Sequence, residues 1–329
     1  MLSGIQPTGA LHIGNYLGAL RNWERDQDRY ENYFCIVDLH ALTVLPDADS
    51  LRSRTLEVAA LYLASGLDPA KCEIFLQSAV PAHTQLGWIV ECFTPMGWLE
   101  RMTQFKARSA ARGRERISTG LFTYPALMAA DILLYDADLV PVGDDQRQHI
   151  ELTRDVAQRL NALRDGVVKV PAPLIREVGA RVMGLDDPLI KMSKSVAVER
   201  PLHAVNMLDP PDVIRRKIAR AQTDGQPSVG DDPGPGVVNL LDIYAALGDL
   251  DPSQALAEFR GKSYSVLKQA VAEVLIGALE PLQGRYAELR ADEPGLRRLL
   301  AESAERAARV ANATLARVQA AVGLLRDGV

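Results

Sequence analysis

The peptide Tyr33-Phe34-Cys35-Ile36-Val37 is apolar at five consecutive positions and stops at Asp38. A strand with one wet face alternates apolar and polar residues, so an unbroken run requires cover on both faces, as in a parallel sheet. The run sits in a repeating order. Met1 to Ile5 reads as a short apolar strand that stops at the turn Pro7-Thr8-Gly9. Ile13 to Tyr30 places Tyr16, Leu17, Leu20 and Trp23 at helical spacing. Leu51 to Ser65 reads as a helix ended near Gly66, and Glu73 to Gln77 as a third strand. His83 to Phe93, Gly97 to Ala110 and Thr123 to Tyr135 read as helices, Val140-Pro141-Val142 as a strand, and Asp144 to Leu160 as a helix. This alternation predicts an α/β fold, a Rossmann-like doubly wound parallel sheet.

The texture changes after about Arg176. A loop bracketed by Gly179, Gly184 and Pro188 runs through Lys191-Met192-Ser193-Lys194-Ser195. From Asp209 onward every segment reads as helix: Pro210 to Ala221, Val237 to Leu247, Pro252 to Phe259, Tyr264 to Arg290, and a last one from about Gly295 to Leu325. Asp224 to Gly236, with four Gly and three Pro, reads as a long loop. The 329 residues suit two domains, here an α/β domain over 1–178 and an all-helical one over 179–290. The final helix, 291–329, is expected to return to the α/β domain.

A net charge of −5 excludes a globally basic coat, so any binding to a polyanion has to be local. Arg101 to Arg116 holds six Lys/Arg against the single acid Glu115, and Arg215-Arg216-Lys217 with Arg220 forms a second cluster. Either could equally be a solvated helix face. The three cysteines, Cys35, Cys72 and Cys92, lack metal-like spacing. They read as reduced thiols in the core of a cytoplasmic protein. No leader is expected, because Lys and Arg are absent before Arg21. No apolar run reaches the length of a membrane span.

Two peptides carry chemistry. Between the first strand and first helix stands Leu11-His12-Ile13-Gly14-Asn15. Free N–H groups at a helix start favour phosphate, His12 and Asn15 can donate to it, and Gly14 lets a flat ring approach the backbone. An ordinary strand–helix turn would read the same. The second peptide is Lys191-Met192-Ser193-Lys194-Ser195. Two ammonium groups three residues apart on a Gly-flanked loop suit a clamp on a polyphosphate, although a solvated basic loop has the same composition.

Together the two peptides resemble the signature pair of the class I aminoacyl-tRNA synthetases, and in particular the tryptophanyl-tRNA synthetase family. Further similar motifs are Ser3-Gly4-Ile5-Gln6-Pro7-Thr8-Gly9, Asp38-Leu39-His40 and Met102-Thr103-Gln104-Phe105-Lys106. Tyr124 to Asp136, Val140 to Gln146 and His149 to Arg154 extend the resemblance. It implies ATP-dependent activation of L-tryptophan, with MgATP and no protein-held metal, followed by transfer to tRNA(Trp). It also implies a homodimer formed through an insertion at about 80–135, an anticodon-reading helical domain, and no membrane contact. By the same resemblance ATP would meet Gln6, Pro7, Thr8, Gly14, Asn15, Gly143, Asp144, Asp145, Val182 and the Lys191–Ser195 loop. Tryptophan would meet Gly4, His40, Gln104, Tyr124, Met128, Asp131 and Gln146. His12, Lys191, Ser193 and Lys194 would act in catalysis, the first with the lysines as a charge on the phosphates.

Tyr124, Met128 and Asp131 fall on one side of a helix. Met128 offers a soft apolar wall to an indole where the tyrosine enzymes usually have Gln. Asp131 can accept the indole N–H, and a carboxylate in the string Ala126 to Leu134 needs a partner. The departures are Leu2 where an aromatic is frequent, Arg108 where Lys is common, and Val196-Ala197 where Asp-Pro commonly follows the Lys loop. Three rival readings stay open: a tyrosine enzyme, a small-molecule nucleotidylyltransferase, and a non-catalytic binding paralogue.

Overall fold

A computed structural model of the chain describes residues 1–103, 105–106, 118–143, 146–174 and 181–325. Gln104, Asp144 and Asp145, most of the basic stretch that ends at Arg116, and Arg176 and Gly179 lie outside the described residues.

β1 (Leu2–Ile5), β2 (Asn32–Ile36) and β3 (Cys72–Leu76) form a parallel sheet in that order, with Gly4 opposite Cys35 and Cys35 opposite Phe75. The chain order therefore predicts this sheet correctly. A second parallel pair, β4 (Leu139–Pro141) and β5 (Ala172–Leu174), lies with β4 against β1. The spatial order is thus β3-β2-β1-β4-β5, and the chain switches sides between β1 and β4. β5 escaped the sequence reading because three residues, one of them Pro173, leave too short a pattern.

Every residue of β2 is buried, as its apolar run requires. Phe34 and Ile36 face one core together with Ile74, and Tyr33 and Cys35 face the other with Phe75. The first face is covered by α4 (Ala48–Ala64), and the helical segment, α10 (Pro211–Ala219), α11 (Pro235–Gly248), α12 (Pro252–Phe259) and α13 (Tyr264–Ala291), joins the same core. The second is covered by α5 (Ala82–Phe93), α7 (Thr119–Leu134) and α8 (Arg147–Asn161). The last helix, α14 (Glu293–Ala321), joins both cores. Leu296 and Leu300 enter the first, and Ala304, Ala307, Ala311, Leu315 and Val318 the second. Ser303 donates to Glu73 of β3 at 2.6 Å and Arg306 at 2.8 Å.

Three expectations need correction. The helix from Ile13 to Tyr30 is instead α1 (Ile13–Asn15), a π-helical turn (Tyr16–Leu20) and α2 (Arg21–Asp26). Cys35 and Cys72 are buried, but Cys92 is exposed. It lies one turn beyond exposed Trp88 on the outer side of α5, whose inner side carries Leu86, Ile89 and Val90. The cluster Arg215-Arg216-Lys217 is not one basic face. Lys217 is buried, donating to Asp209 at 2.6 Å and to the Ala204 carbonyl at 2.8 Å, and Arg215 pairs with Glu273.

Phe34 is fully buried and stacks on Trp23 with ring centroids 4.6 Å apart. Phe34→Ala removes that contact and leaves a cavity, a loss of about 3–5 kcal/mol. The expected result is a clearly lower urea midpoint, with Trp23 in an altered fluorescence environment.

Candidate active site

The switch between β1 and β4 opens a cleft at the carboxyl end of β1, where sheets of this kind bind ligands. Past β1 the chain turns through Gln6 to Ala10 and reaches His12, whose extended backbone caps α1 and whose N–H donates to Asn15 Oδ1 at 3.1 Å. A Cβ on Gly14 would stand 3.0 Å from the His12 ring, so the glycine makes room for that ring. Ile13 N–H donates to the Val205 carbonyl at 2.9 Å, and Met207 N–H to the Leu11 carbonyl at 2.8 Å. The segment beyond the Lys loop is thereby strapped to the His-Ile-Gly-Asn peptide. The loop has its own ties: Met192 N–H donates to the Val182 carbonyl at 3.0 Å and Gly184 N–H to the Ile190 carbonyl at 2.8 Å. Asn239 of α11 braces it by bonding both the N–H and the carbonyl of Met183.

These ties bring two sequence-distant peptides around one cavity of about 520 Å³. Gln6, Thr8, His12, Gly14, Asn15, Gly143, Val182, Lys191, Met192, Ser193 and Lys194 line it. Pro7 is buried and Ser195 exposed, and neither lines the cavity. Asn22, Trp23 and Leu174 also line it and were not anticipated. Ser193 Oγ accepts from Val196 N–H, so a helix, α9 (Lys194–Glu199), begins inside the expected loop. Lys194 Nζ donates to the Gln6 carbonyl at 2.9 Å, and burial lowers its pKa to about 8.

His12 departs from expectation in its charge. Burial, with Lys194, His203 and Lys191 nearby, lowers its pKa to about 3, and its Nδ1 has no hydrogen-bond partner among the described residues. A neutral ring offers a hydrogen bond and not a charge. The expectation of a cationic His12 is therefore corrected, because a cation buried beside other cations is unfavourable.

A second chamber of about 300 Å³ adjoins the first through shared Ser3, Gly4, Gln6, Pro141, Val142 and Gln146. Leu2, His40, Tyr124, Met128 and Asp131 complete its lining with Cys35, Val37, Ile132 and Val140. The three helix positions Tyr124, Met128 and Asp131 thus face one space. Tyr124 bonds His149 Nε2 through its hydroxyl at 2.9 Å, and the His40 ring stands edge-on to it. Asp131 is buried, and its partners are more numerous than one ligand N–H. His40 Nε2 lies 2.7 Å from Oδ2, His83 Nδ1 lies 2.6 Å from Oδ1, and Gln77 Nε2 bonds both oxygens at 2.8 and 2.9 Å. Desolvation pushes the Asp131 pKa up, but His40 and His83 beside it outweigh that and hold the carboxyl below the usual range. A ligand N–H must therefore share an oxygen that Gln77 already uses. Neither Gln77 nor His83 carries a local signal in the sequence, since each gains its role only from a helix far along the chain.

Among the described residues, no group of three or more His, Cys, Asp or Glu could hold a metal ion, and no helix is long and apolar enough to cross a membrane.

His83→Ala should weaken folding by about 2–3 kcal/mol near pH 7, the scale of a hydrogen bond to a charged group. The lowered pKa of Asp131 gives stability that is present above the unfolded carboxyl pKa and lost as pH falls through the folded one. The gap between wild type and variant, measured by urea unfolding, should therefore shrink on acidification.

The family model described as tRNA synthetases class I (W and Y) matches residues 1–280. The chain is 52% identical to the Tryptophan--tRNA ligase of Thermosynechococcus vestitus over 98% of its own length and 99% of the relative's. Its fold is similar to that of tryptophanyl-tRNA synthetase from Mycoplasma pneumoniae, with a TM-score of 0.91, 36% identity, and coverage of 98% of this chain and 97% of that one. The Campylobacter jejuni enzyme complexed with ADP and tryptophan matches with a TM-score of 0.82 and 32% identity, covering 98% and 99%. With two sequence-distant peptides closed around one cleft and whole-length likeness to these proteins, the chain belongs to the class I tRNA synthetases for tryptophan and tyrosine, and within them to the tryptophan–tRNA ligases.

Proposed function

We propose that the chain activates L-tryptophan with MgATP, releases pyrophosphate, and transfers the tryptophanyl group from the adenylate to the 3′ end of tRNA(Trp) in the cytoplasm. One observation carries the site assignment: the chamber holding Met128 and Asp131 opens into the cavity holding His12 and the Lys loop. Tryptophan in the first would point its carboxylate toward ATP in the second. That carboxylate is ionised at pH 7 and needs no general base to attack the α-phosphorus. The P–O bond to pyrophosphate breaks as the mixed anhydride forms.

Catalysis is then alignment and charge stabilisation. Lys191 and Lys194 supply the charge, neutral His12 a hydrogen bond, and Gln6, Thr8, Gly14, Asn15, Gly143 and Val182 the nucleotide walls. Magnesium enters as part of MgATP. Lys194 rests on the Gln6 carbonyl and must leave it to reach a phosphate. Asp131 accepts the indole N–H, Met128 and Leu2 pack on the ring, and Gly4, His40, Tyr124 and Gln146 complete the amino-acid site. Gln104, Asp144 and Asp145 are assigned to the two sites by family resemblance.

We read residues 1–178 as the catalytic domain, 179–290 as the Lys loop and anticodon-binding helices, and 291–329 as a helix returned to the catalytic domain. Exposed Arg216 and Arg220 remain of the second basic cluster for tRNA. The homodimer is supported by exposed Leu42, Leu45, Trp88 and Met96, the first three of which line a groove of about 440 Å³ between α5 and α7.

The function is tested by pyrophosphate exchange. Exchange with tryptophan and not tyrosine is expected, and the reverse overturns the substrate assignment. Lys194→Ala should slow exchange by about 10²-fold or more, roughly 2.7 kcal/mol of barrier, with tryptophan binding nearly intact. The Lys194 ammonium is present below about pH 8 and lost above it, so wild-type exchange should decline on that alkaline side and Lys194→Arg should flatten the decline. Trp88→Lys should convert a dimer into a monomer in sedimentation velocity, and a wild-type monomer would sink the dimer reading.

A further inference from the structure

His203 is a fully buried histidine behind the Lys loop that the reaction chemistry above does not use. Its Nδ1 lies 2.7 Å from Asp186 Oδ1, and its Nε2 lies 3.3 Å from the Lys191 carbonyl oxygen. The other oxygen of Asp186 accepts from Arg200 Nε at 2.8 Å. The backbone is held as well, because the His203 carbonyl accepts from Leu185 N–H at 3.0 Å. A Cβ on Gly184 would come within 2.1 Å of the ring, so a glycine there is a condition for the ring's position.

The ring therefore stands between two acceptors, a carboxylate and a backbone carbonyl. Each ring nitrogen faces one of them. The carbonyl in question belongs to Lys191, which lines the first cavity.

We infer that His203 is a positioning residue for adenylate formation: clamped between Asp186 and the Lys191 carbonyl, it fixes the backbone from which Lys191 is presented. The clamp sits after Val196-Ala197, and it ties the chain beyond the loop back to the loop's first arm. The inference rests on the proposed role of Lys191 in the adenylation reaction.

The test uses the full-length chain, with His203→Gln and Asp186→Asn as independent variants. Tryptophan-dependent pyrophosphate exchange by the wild type first checks the underlying reading, and its absence would sink that reading alone. Each variant should then lower kcat by about 10- to 100-fold, the scale of one hydrogen bond to a charged group. The KM for tryptophan should stay within about twofold, because the tryptophan chamber does not include these residues. Unchanged kcat in both variants, or a tryptophan KM that rises in step with the loss of kcat, would each overturn the clamp.

Discussion

The site depends on one topological constraint, the reversal of winding between β1 and β4. From β1 the chain builds outward through β2 and β3, then returns to the opposite side of β1 to place β4 and β5. The connections leaving β1 and β4 therefore diverge, and the space between them cannot be filled by either. Gln6 and His12 stand on one bank, Val142 and Gly143 on the other, and the Lys loop closes the end. The helical segment contributes by strapping residues 205–207 to residues 11–13. It also shares a continuous core with one sheet face, so the loop is carried by packed structure on both sides.

Burial sets the charges in this cleft, and it acts differently on each group. His12 loses its proton because desolvation and neighbouring cations work together. Lys194 keeps its charge in the neutral range, but with a pKa lowered to about 8. Asp131 suffers the desolvation and still stays ionised, because His40, His83 and Gln77 supply the donors that water would have supplied. A carboxylate fixed on several sides is a pre-oriented acceptor. Any ligand N–H that reaches it avoids the cost of ordering it.

Much of this was legible in the sequence where a signal is local. The apolar run of β2 demanded cover on both faces and received it. Tyr124, Met128 and Asp131 share a helix side by spacing alone, and they share a chamber. The signal failed where the controlling contact is remote. The π turn at Tyr16–Leu20 has the same apolar spacing as a regular helix. Lys217 looks basic beside Arg215 and Arg216, yet its ammonium is spent on Asp209 and the Ala204 carbonyl. Cys92 was misplaced because a small thiol gives no clue to which side of a helix it occupies.

The amino-acid order by itself determined the alternating α/β architecture, the two phosphate-suited peptides and the side of the helix that carries Asp131. Those follow from periodicity and residue chemistry over short spans, which the chain carries whatever its neighbours. Tertiary structure alone decided that the two peptides share one cavity, that His12 is neutral, and that His83 and Gln77 stand behind Asp131. It also decided that His203 grips the Lys loop. Each of these depends on desolvation or on a hydrogen bond between segments far apart in the chain, and both arise only when the layers close.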